Sequence, residues 1–397
     1  MSVILQRLLQ LVPTLIGVSI LTFLLMRLAP GDPVRLMLGT EASPEAVEEL
    51  RRQLGLDQPM YIQYATYMGL NFWSGKSATI AEGPAEGSKR DTITLSPGHD
   101  FLRNDRVVLT VNGEPLKRII ASRTGDVIKL NSPLPEGDIP PGTVIEVPWK
   151  RGVLQGDFGT SIVRNTPVVD DILQKLPATI ELATTAMIFA LIVGLVVGII
   201  SAVYPRSWME SVFRLLVFLF LAMPGFWLGL ELIIIFSRTL QWFPPAGRGE
   251  FGTTSMISHL FLPAATLGLS SGAFLSRILR SSMLQVLNQD FIRTARAKGL
   301  APGPVVLRHA LKNALIPFVT VAGLSMGSLL GGSVIVETVF EWPGVGKLFV
   351  DSILQRDLPV TMGCVLMLAT IFVVLNTLID LVYTAIDPRI RLDGGAH

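Results

Sequence analysis

Asp290-Phe291-Ile292-Arg293-Thr294-Ala295-Arg296-Ala297-Lys298-Gly299-Leu300 sets cations at helical spacing and ends them on a glycine. Arg308-His309-Ala310-Leu311-Lys312-Asn313-Ala314-Leu315-Ile316-Pro317 follows it. Residues 284–298 favour helix, Gly299 stops it, and Pro302, Gly303 and Pro304 force a turn before a second helix begins near Val305. Ala295 and Ala297 keep the first helix thin. A short, thin, basic helix ending in a glycine turn has the shape to enter a groove on another protein. A basic loop held on one side of a membrane by its charge has the same composition.

Other chemistry is poorly supported. A phosphate-cradling loop needs Gly-x-x-x-x-Gly-Lys-Ser/Thr, and the nearest stretch, Gly344-Val345-Gly346-Lys347, runs into Leu348. The four histidines, His99, His259, His309 and His397, are scattered, with no i, i+4 pair for a metal. The single cysteine, Cys364, has no intrachain partner. A net charge of +2 on 397 residues gives no global field for nucleic acid. These features predict no catalytic residue, no metal and no cofactor in the chain itself.

The elements that position the basic stretch are apolar. Half of the residues are hydrophobic, 16% are charged, and the mean hydropathy is +0.52, unlike a soluble globule. A membrane helix needs about 20 mostly apolar residues. Six such runs are present: Leu8–Leu28, Ala178–Tyr204, Val212–Phe236, Leu260–Leu279, Ala314–Val336 and Pro359–Ile386. The first is too long for a signal-peptide core and reads as a retained anchor. Gly194, Gly198, Pro224, Gly225, Gly268, Gly323 and Gly327 suit helices that pack closely or line a path. Lys and Arg mark the inner loops: Arg7, then Arg206 and Arg214, then Arg277 through Lys312, then Arg389 and Arg391. All fall on one side if both termini are cytoplasmic.

The loop between the first two runs is then extracytoplasmic. Ser43-Pro44-Glu45 signals a helix start, Val47, Leu50 and Leu54 recur at helical spacing, and Gly55 is placed to end it. From residue 74 to 153 the texture turns to short alternating runs. Five strands are predicted, at Ile93–Leu95, Val107–Val111, Leu116–Ile120, Val127–Leu130 and Val144–Val147, with turns at Asn112-Gly113 and Thr124-Gly125-Asp126. The module should be a compact barrel or sandwich.

Two features inside the spans stand out. Glu231 lies in the outer half of the third run, where an unpaired charge near the centre costs at least about 2.5 kcal/mol. It should face a path or a partner, or else snorkel or pair between helices. Pro224-Gly225 can break the same helix, opening backbone groups to a path or simply kinking it. Glu181 and Asp380, near span ends, suit solvated or capping roles.

The 290–317 stretch resembles the cytoplasmic coupling loop of ABC importer permeases, in the Arg-Thr-Ala-Arg-Ala-Lys-Gly version of the dipeptide, oligopeptide and nickel subfamily. Gly299 and Ala295 match the broader motif; Arg293 and Thr294 stand where Glu and Ala are commoner. Arg27-Leu28-Ala29-Pro30-Gly31-Asp32-Pro33, Leu54-Gly55-Leu56-Asp57-Gln58-Pro59, Gly156-Asp157-Phe158-Gly159-Thr160-Ser161, Leu176-Pro177-Ala178-Thr179 and Glu337 through Gly346 resemble that subfamily's first permease subunit. The likeness covers nearly everything but residues 74–153. In relatives a segment like Asn71-Phe72-Trp73 runs almost directly into one like Leu154-Gln155-Gly156-Asp157, so the β module looks inserted.

The resemblance implies an all-α polytopic membrane protein of six transmembrane helices, the type I importer permease, with a small β-rich extracytoplasmic insertion. Its parts would be a first transmembrane helix (1–33), an extracytoplasmic helical segment (34–73), the insertion (74–153), a further extracytoplasmic segment (154–177) and a five-span core (178–391) holding the coupling loop at 285–312. It implies that Arg293, Thr294, Ala295, Arg296, Ala297, Lys298, Gly299 and Leu300 meet an ATP-hydrolysing subunit; Pro224, Gly225 and Glu231 stay, on their own chemistry, the candidates for lining a pathway. The implied partners are a homologous second permease, two ATP-binding subunits that hold ATP and Mg, an extracytoplasmic binding protein and membrane lipid. The implied setting is the bacterial cytoplasmic membrane. Peptide is the expected cargo, with nickel chelates, glutathione or oligosaccharides as alternatives. An ion-driven secondary transporter would instead show inverted repeats and several mid-membrane acids, and a β-module sensor on an anchor would leave the basic loop unexplained.

Overall fold

The computed structural model describes residues 3–28, 43–53, 56–70, 77–84, 90–99, 101, 106–111, 114–135, 139–146, 152–164, 166–250 and 252–386. The expected Asn112-Gly113 turn, the Asn71-Phe72-Trp73 segment, the Ala29–Pro33 motif, Arg389 and Arg391 lie outside them. The chain divides into two compact units, residues 28–159 and residues 1–27 with 160–397.

Two short helices open the first of these units. α2 (Pro44–Gln53) follows the predicted start, the Val47 amide donating to the Ser43 carbonyl at 3.1 Å. α3 (Met60–Met68) ends on Gly69 in the left-handed region. Six strands then close an antiparallel barrel in the order β1-β2-β5-β4-β3-β6. They are β1 (Ser77–Glu82), β2 (Thr92–Leu95), β3 (Arg106–Val111), β4 (Glu114–Thr124), β5 (Val127–Leu130) and β6 (Val144–Glu146).

The expected alternation holds where the core demands it. Val107, Leu109 and Val111 of β3, and Ile128 and Leu130 of β5, point into a core completed by Ile80, Ile93, Ile120, Ile145 and Phe101. Closure leaves the sheet no free edge. Register shifts at Ile80/Glu82 and Ile120/Ser122 bend β1 and β4 as a small barrel requires. Thr124 pairs with Val127 across Gly125, whose φ is +62°, so the predicted turn is a two-residue hairpin. β1 was not among the five predicted strands: its Ser77-Ala78-Thr79-Ile80 run carries only one large apolar residue.

The second unit opens with α1 (Val3–Leu28) and continues with long helices. α4 (Val168–Val203) starts at Val168 rather than at the expected Ala178. Asp170, Asp171 and Lys175 break the hydropathy of that first part, yet the acids favour a helix N-terminus, and Val168 and Ile172 are fully buried. α5 (Trp208–Ala222) and α6 (Gly225–Leu232), the latter prolonged by a π-helical turn at Ile233–Thr239, meet at 114°. The run expected as one span is therefore sharply broken at Met223-Pro224, both in extended backbone. α7 (Thr254–Leu287), α8 (Asp290–Ala297), α9 (Leu311–Val339), α10 (Val345–Leu354) and α11 (Leu358–Ile386) complete the unit. Among the described residues four helices are long and apolar enough to cross a membrane, and the bent pair makes a fifth when taken as one span. Ile188, Ile192 and Val196 of α4 stay about half exposed in a row, as a lipid-facing stripe requires.

α4 and α7 meet through reciprocal glycines. A Cβ on Gly194 or Gly198 would sit 2.9 Å from Cβ of Leu275 or Leu279, and one on Gly268 or Gly272 would sit 2.9 Å from Phe189 or Val193. Each helix thus offers a small pair spaced by four, which lets the backbones approach closely.

One end of this bundle is closed by side chains on main-chain groups. Trp342 is fully buried and its indole N–H donates to the Ala178 carbonyl at 2.8 Å. The Val345 amide donates to the Thr179 hydroxyl at 2.8 Å, and the Lys347 amide to the buried Glu337 carboxylate at 3.0 Å. Glu181 takes two hydrogen bonds from Arg248, at 2.6 and 3.1 Å. The stretch nearest to a phosphate loop is thereby a helix N-terminus filled by the chain's own groups. Lys347 pairs with Glu341 at 2.8 Å and Asp351 at 3.2 Å, and the Glu341 contact holds its ammonium above the usual lysine range.

Two outcomes follow. Ile128→Ala leaves a void in the barrel core and should cost about 2–5 kcal/mol, read as faster trypsin cleavage between residues 77 and 146 of the full chain; an unchanged rate would mean the core does not hold the barrel. Gly346→Ala would place its methyl 2.6 Å from the Val334 Cα and 2.9 Å from the Glu337 carboxylate. It should cost about 1–3 kcal/mol and lower the melting temperature in detergent.

Candidate coupling site

The basic stretch forms two elements rather than the single helix expected over 284–298. α7 ends at Leu287 because Asn288 turns its amide back onto the Leu284 carbonyl at 2.9 Å, and Gln289 adopts extended backbone. α8 then restarts at Asp290, with that carboxylate in its first turn.

Two residues of α8 face inward. Ile292 is fully buried and Ala295 nearly so, packed in the cluster that holds Met283 and Val286 of α7 and Val305 and Ala310 of the following π-helical turn. The small Ala295 brings α8 close to this base. Its side chain is turned to this base, away from the face that the rest of the predicted set exposes.

The end of α8 is fixed by geometry as much as by contacts. Gly299 has φ +79°, its amide donates to the Arg296 carbonyl at 2.9 Å, and the Leu300 amide reaches the Ala295 carbonyl at 3.4 Å. This is a Schellman ending, which needs a residue at ease in the left-handed region. A Cβ here would meet nothing within 4 Å, so backbone conformation alone selects glycine.

What remains outward is a mixed surface. Arg293, Thr294, Arg296, Ala297, Lys298, Gly299 and Leu300 are exposed, with Phe291 and Leu307 beside them. Arg293 lies 3.4 Å from Asp290, an exposed pair worth little. Thr294 donates its hydroxyl to the Asp290 carbonyl at 3.0 Å. Apolar residues among exposed cations suit burial against a partner bearing acids and an apolar groove.

The other predicted residues lie elsewhere. Pro224 and Gly225 form the break before α6 and are exposed. Glu231 is half-buried on α6, whose Gly229 packs on Phe340, so it sits toward the Trp342 end, far from α8. Among the described residues Glu231 makes no ion pair. Asp380's side chain lies outside the described residues.

The sequence reading missed Glu210. Its carboxylate is 2% exposed and accepts from the Arg206 amide at 2.5 Å, from Arg214 at 2.6 Å and from Arg280. Ser207-x-x-Glu210 ahead of an apolar run is a capping-box signal that pointed to it: the Glu210 amide donates to the Ser207 hydroxyl at 3.1 Å. Arg280, seventy positions on, could not be read from spacing. The contact puts the 206–214 and 277–280 basic groups at the same end of the bundle as α8.

Comparison with known proteins agrees with this arrangement. The family described as binding-protein-dependent transport system inner membrane component matches residues 194–392, and its N-terminal counterpart matches residues 1–87. The chain is 36% identical to the dipeptide transport system permease protein DppB of Alkalihalophilus pseudofirmus, covering 97% of this chain and 98% of that protein. It is 36% identical to the oligopeptide transport system permease protein AppB of Bacillus subtilis, covering 98% of each. It is 35% identical to the glutathione transport system permease protein GsiC of Salmonella choleraesuis, covering 98% and 99%. With the family matched across the glycine-packed helices and α8, and with these identities sustained over nearly the whole length, the chain belongs to the binding-protein-dependent transport system inner membrane components.

Proposed function

We propose that the chain forms half of the translocation pathway of an ATP-driven importer of small peptides and couples to cytoplasmic ATP-hydrolysing subunits through the 290–300 surface. The observation that carries this is the exposed basic and apolar face of α8, held by Ile292 and Ala295 and ended at Gly299. The names of the relatives support peptide as cargo. The glutathione relative supports a second reading, glutathione itself, which is chemically a tripeptide.

A homologous second permease, two ATP-binding subunits and an extracytoplasmic binding protein complete the proposed assembly. ATP and Mg belong to the partners in this reading, since the 344–347 amides are occupied within the chain. The reading takes α1 and the α5–α6 pair as spans, six in all, with both termini cytoplasmic; the 206–214 and 277–280 basic groups at the α8 end support that side as the cytoplasmic one. Glu231, with Pro224 and Gly225, is assigned to the pathway, where a half-buried acid could meet a peptide's amino group.

The test is co-purification of the tagged chain with its genomic neighbours, then ATPase activity in liposomes with dipeptide or glutathione. ATP-binding subunits should co-purify, and binding protein loaded with cargo should raise hydrolysis. Gly299→Pro removes a donor and forbids positive φ, at roughly 3 kcal/mol or more, and should abolish that stimulation. Arg293→Glu with Arg296→Glu, both exposed, should weaken ATPase association at least tenfold while the chain still folds. Transport without nucleotide would instead establish an ion-driven carrier.

A further inference from the structure

At the α8 end of the bundle a cavity of about 340 Å³ opens between α4, α5 and α7. Arg214, Arg277 and Arg280 line it, with Glu210 as the only carboxylate, and Val217 and Phe218 supply an apolar side. Three guanidiniums against one carboxylate leave this lining two charges positive. Glu210 is already saturated by the Arg206 amide, Arg214 and Arg280. Arg214 and Arg280 each reach it through one terminal nitrogen, so most of their donors are uncommitted. The Arg280 Nε is buried with no hydrogen-bond partner. Arg277 is exposed and makes no ion pair among the described residues.

The surroundings are those of a membrane interface. Tyr204 and Trp208, at the turn joining α4 to α5, are 54% and 75% exposed, as interfacial aromatics are. Leu215 and Phe218 carry an exposed apolar face along α5 directly beyond the arginines. Surplus positive charge at the edge of a low-dielectric layer is costly without a counter-anion. Basic pockets between membrane helices on the inner side suit phosphate headgroups.

We propose that this cavity holds the phosphate headgroup of an anionic phospholipid, with Arg277, Arg280 and Arg214 on the phosphate and an acyl chain along Val217 and Phe218. The lipid neutralises the cluster that ties α5 to α7, independently of which cargo the protein carries.

The test uses the full chain in nanodiscs of phosphatidylcholine doped with phosphatidylglycerol, with the lipids retained on release counted by native mass spectrometry. Wild type should retain phosphatidylglycerol preferentially, and excess inorganic phosphate should not strip it. Arg277→Ala should reduce that preference roughly five- to tenfold, and Arg277→Lys should restore most of it. Phe218→Gln, which leaves every arginine in place, should also lower retention. Equal retention of the two lipids by wild type, or an unchanged preference in Arg277→Ala, overturns the proposal. Stripping by inorganic phosphate, or full retention by Phe218→Gln, also overturns it, since the cavity would then read phosphate alone.

Discussion

The close approach of α4 and α7 is the constraint on which the helical unit depends. Lipid tails are as apolar as leucine, so helices in a membrane gain little by hiding apolar surface from one another; contact area and hydrogen bonds must hold them. Gly194, Gly198, Gly268 and Gly272 let the two backbones meet with Leu275, Leu279, Phe189 and Val193 lying across the seam. From this axis α4 extends one way to Ala178 and Thr179, where Trp342 and Val345 dock, and α7 extends the other way to Met283 and Val286, beside which α8 packs. A shift at the seam would move both ends.

The ends themselves hold buried carboxylates within their apolar packing. Glu210, Glu337 and Asp357 are each at most 2% exposed. Each sits where a helix or turn presents amides: Arg206 for Glu210, Lys347 for Glu337, Ile162 for Asp357, which also takes the Ser161 hydroxyl. An unpaired buried charge would be far costlier than a missing methyl, so these groups hold a particular chain path rather than adding bulk stability. Gly344 and Gly346 show the same demand, for a side chain at either would collide with the Glu337 carboxylate.

The sequence made legible what depends on local period and local turn chemistry. The long apolar runs, the stop at Gly299, the Gly125 hairpin and the start of α2 all rest on interactions within a few residues. The break at Asn288 was not legible, since one side-chain hydrogen bond to Leu284 decides it against good helix formers on either side. Pro224-Gly225 signalled a break but not its 114° angle, beyond which Gly229 of α6 lies against Thr266 of α7 and Val339 of α9. The closure of the barrel depends on β1 meeting β6 more than sixty positions away, as Ser77 pairs with Glu146. The basic stretch was legible as a motif, but the inward turn of Ala295 was not, because it depends on which side of α8 meets the rest of the bundle.

α8 is stiff where it must be and bare elsewhere. Its inner face reaches the bundle through Ile292 and Ala295 alone, a footing small enough that the helix would rock if it were long. At eight residues it is little longer than two turns, and both its ends are fastened, by the Asn288 break on one side and by the Gly299 ending on the other. A push on the exposed face would therefore be delivered to the cluster behind it, to Met283 and Val286 at the end of the helix that carries Gly268 and Gly272 and to Val305 and Ala310 of the following turn. Packed cores respond to such a push by shifting as bodies rather than by compressing. Motion imposed on α8 would thus reach two elements together, the end of α7 and the Val305–Ala310 turn that leads into α9.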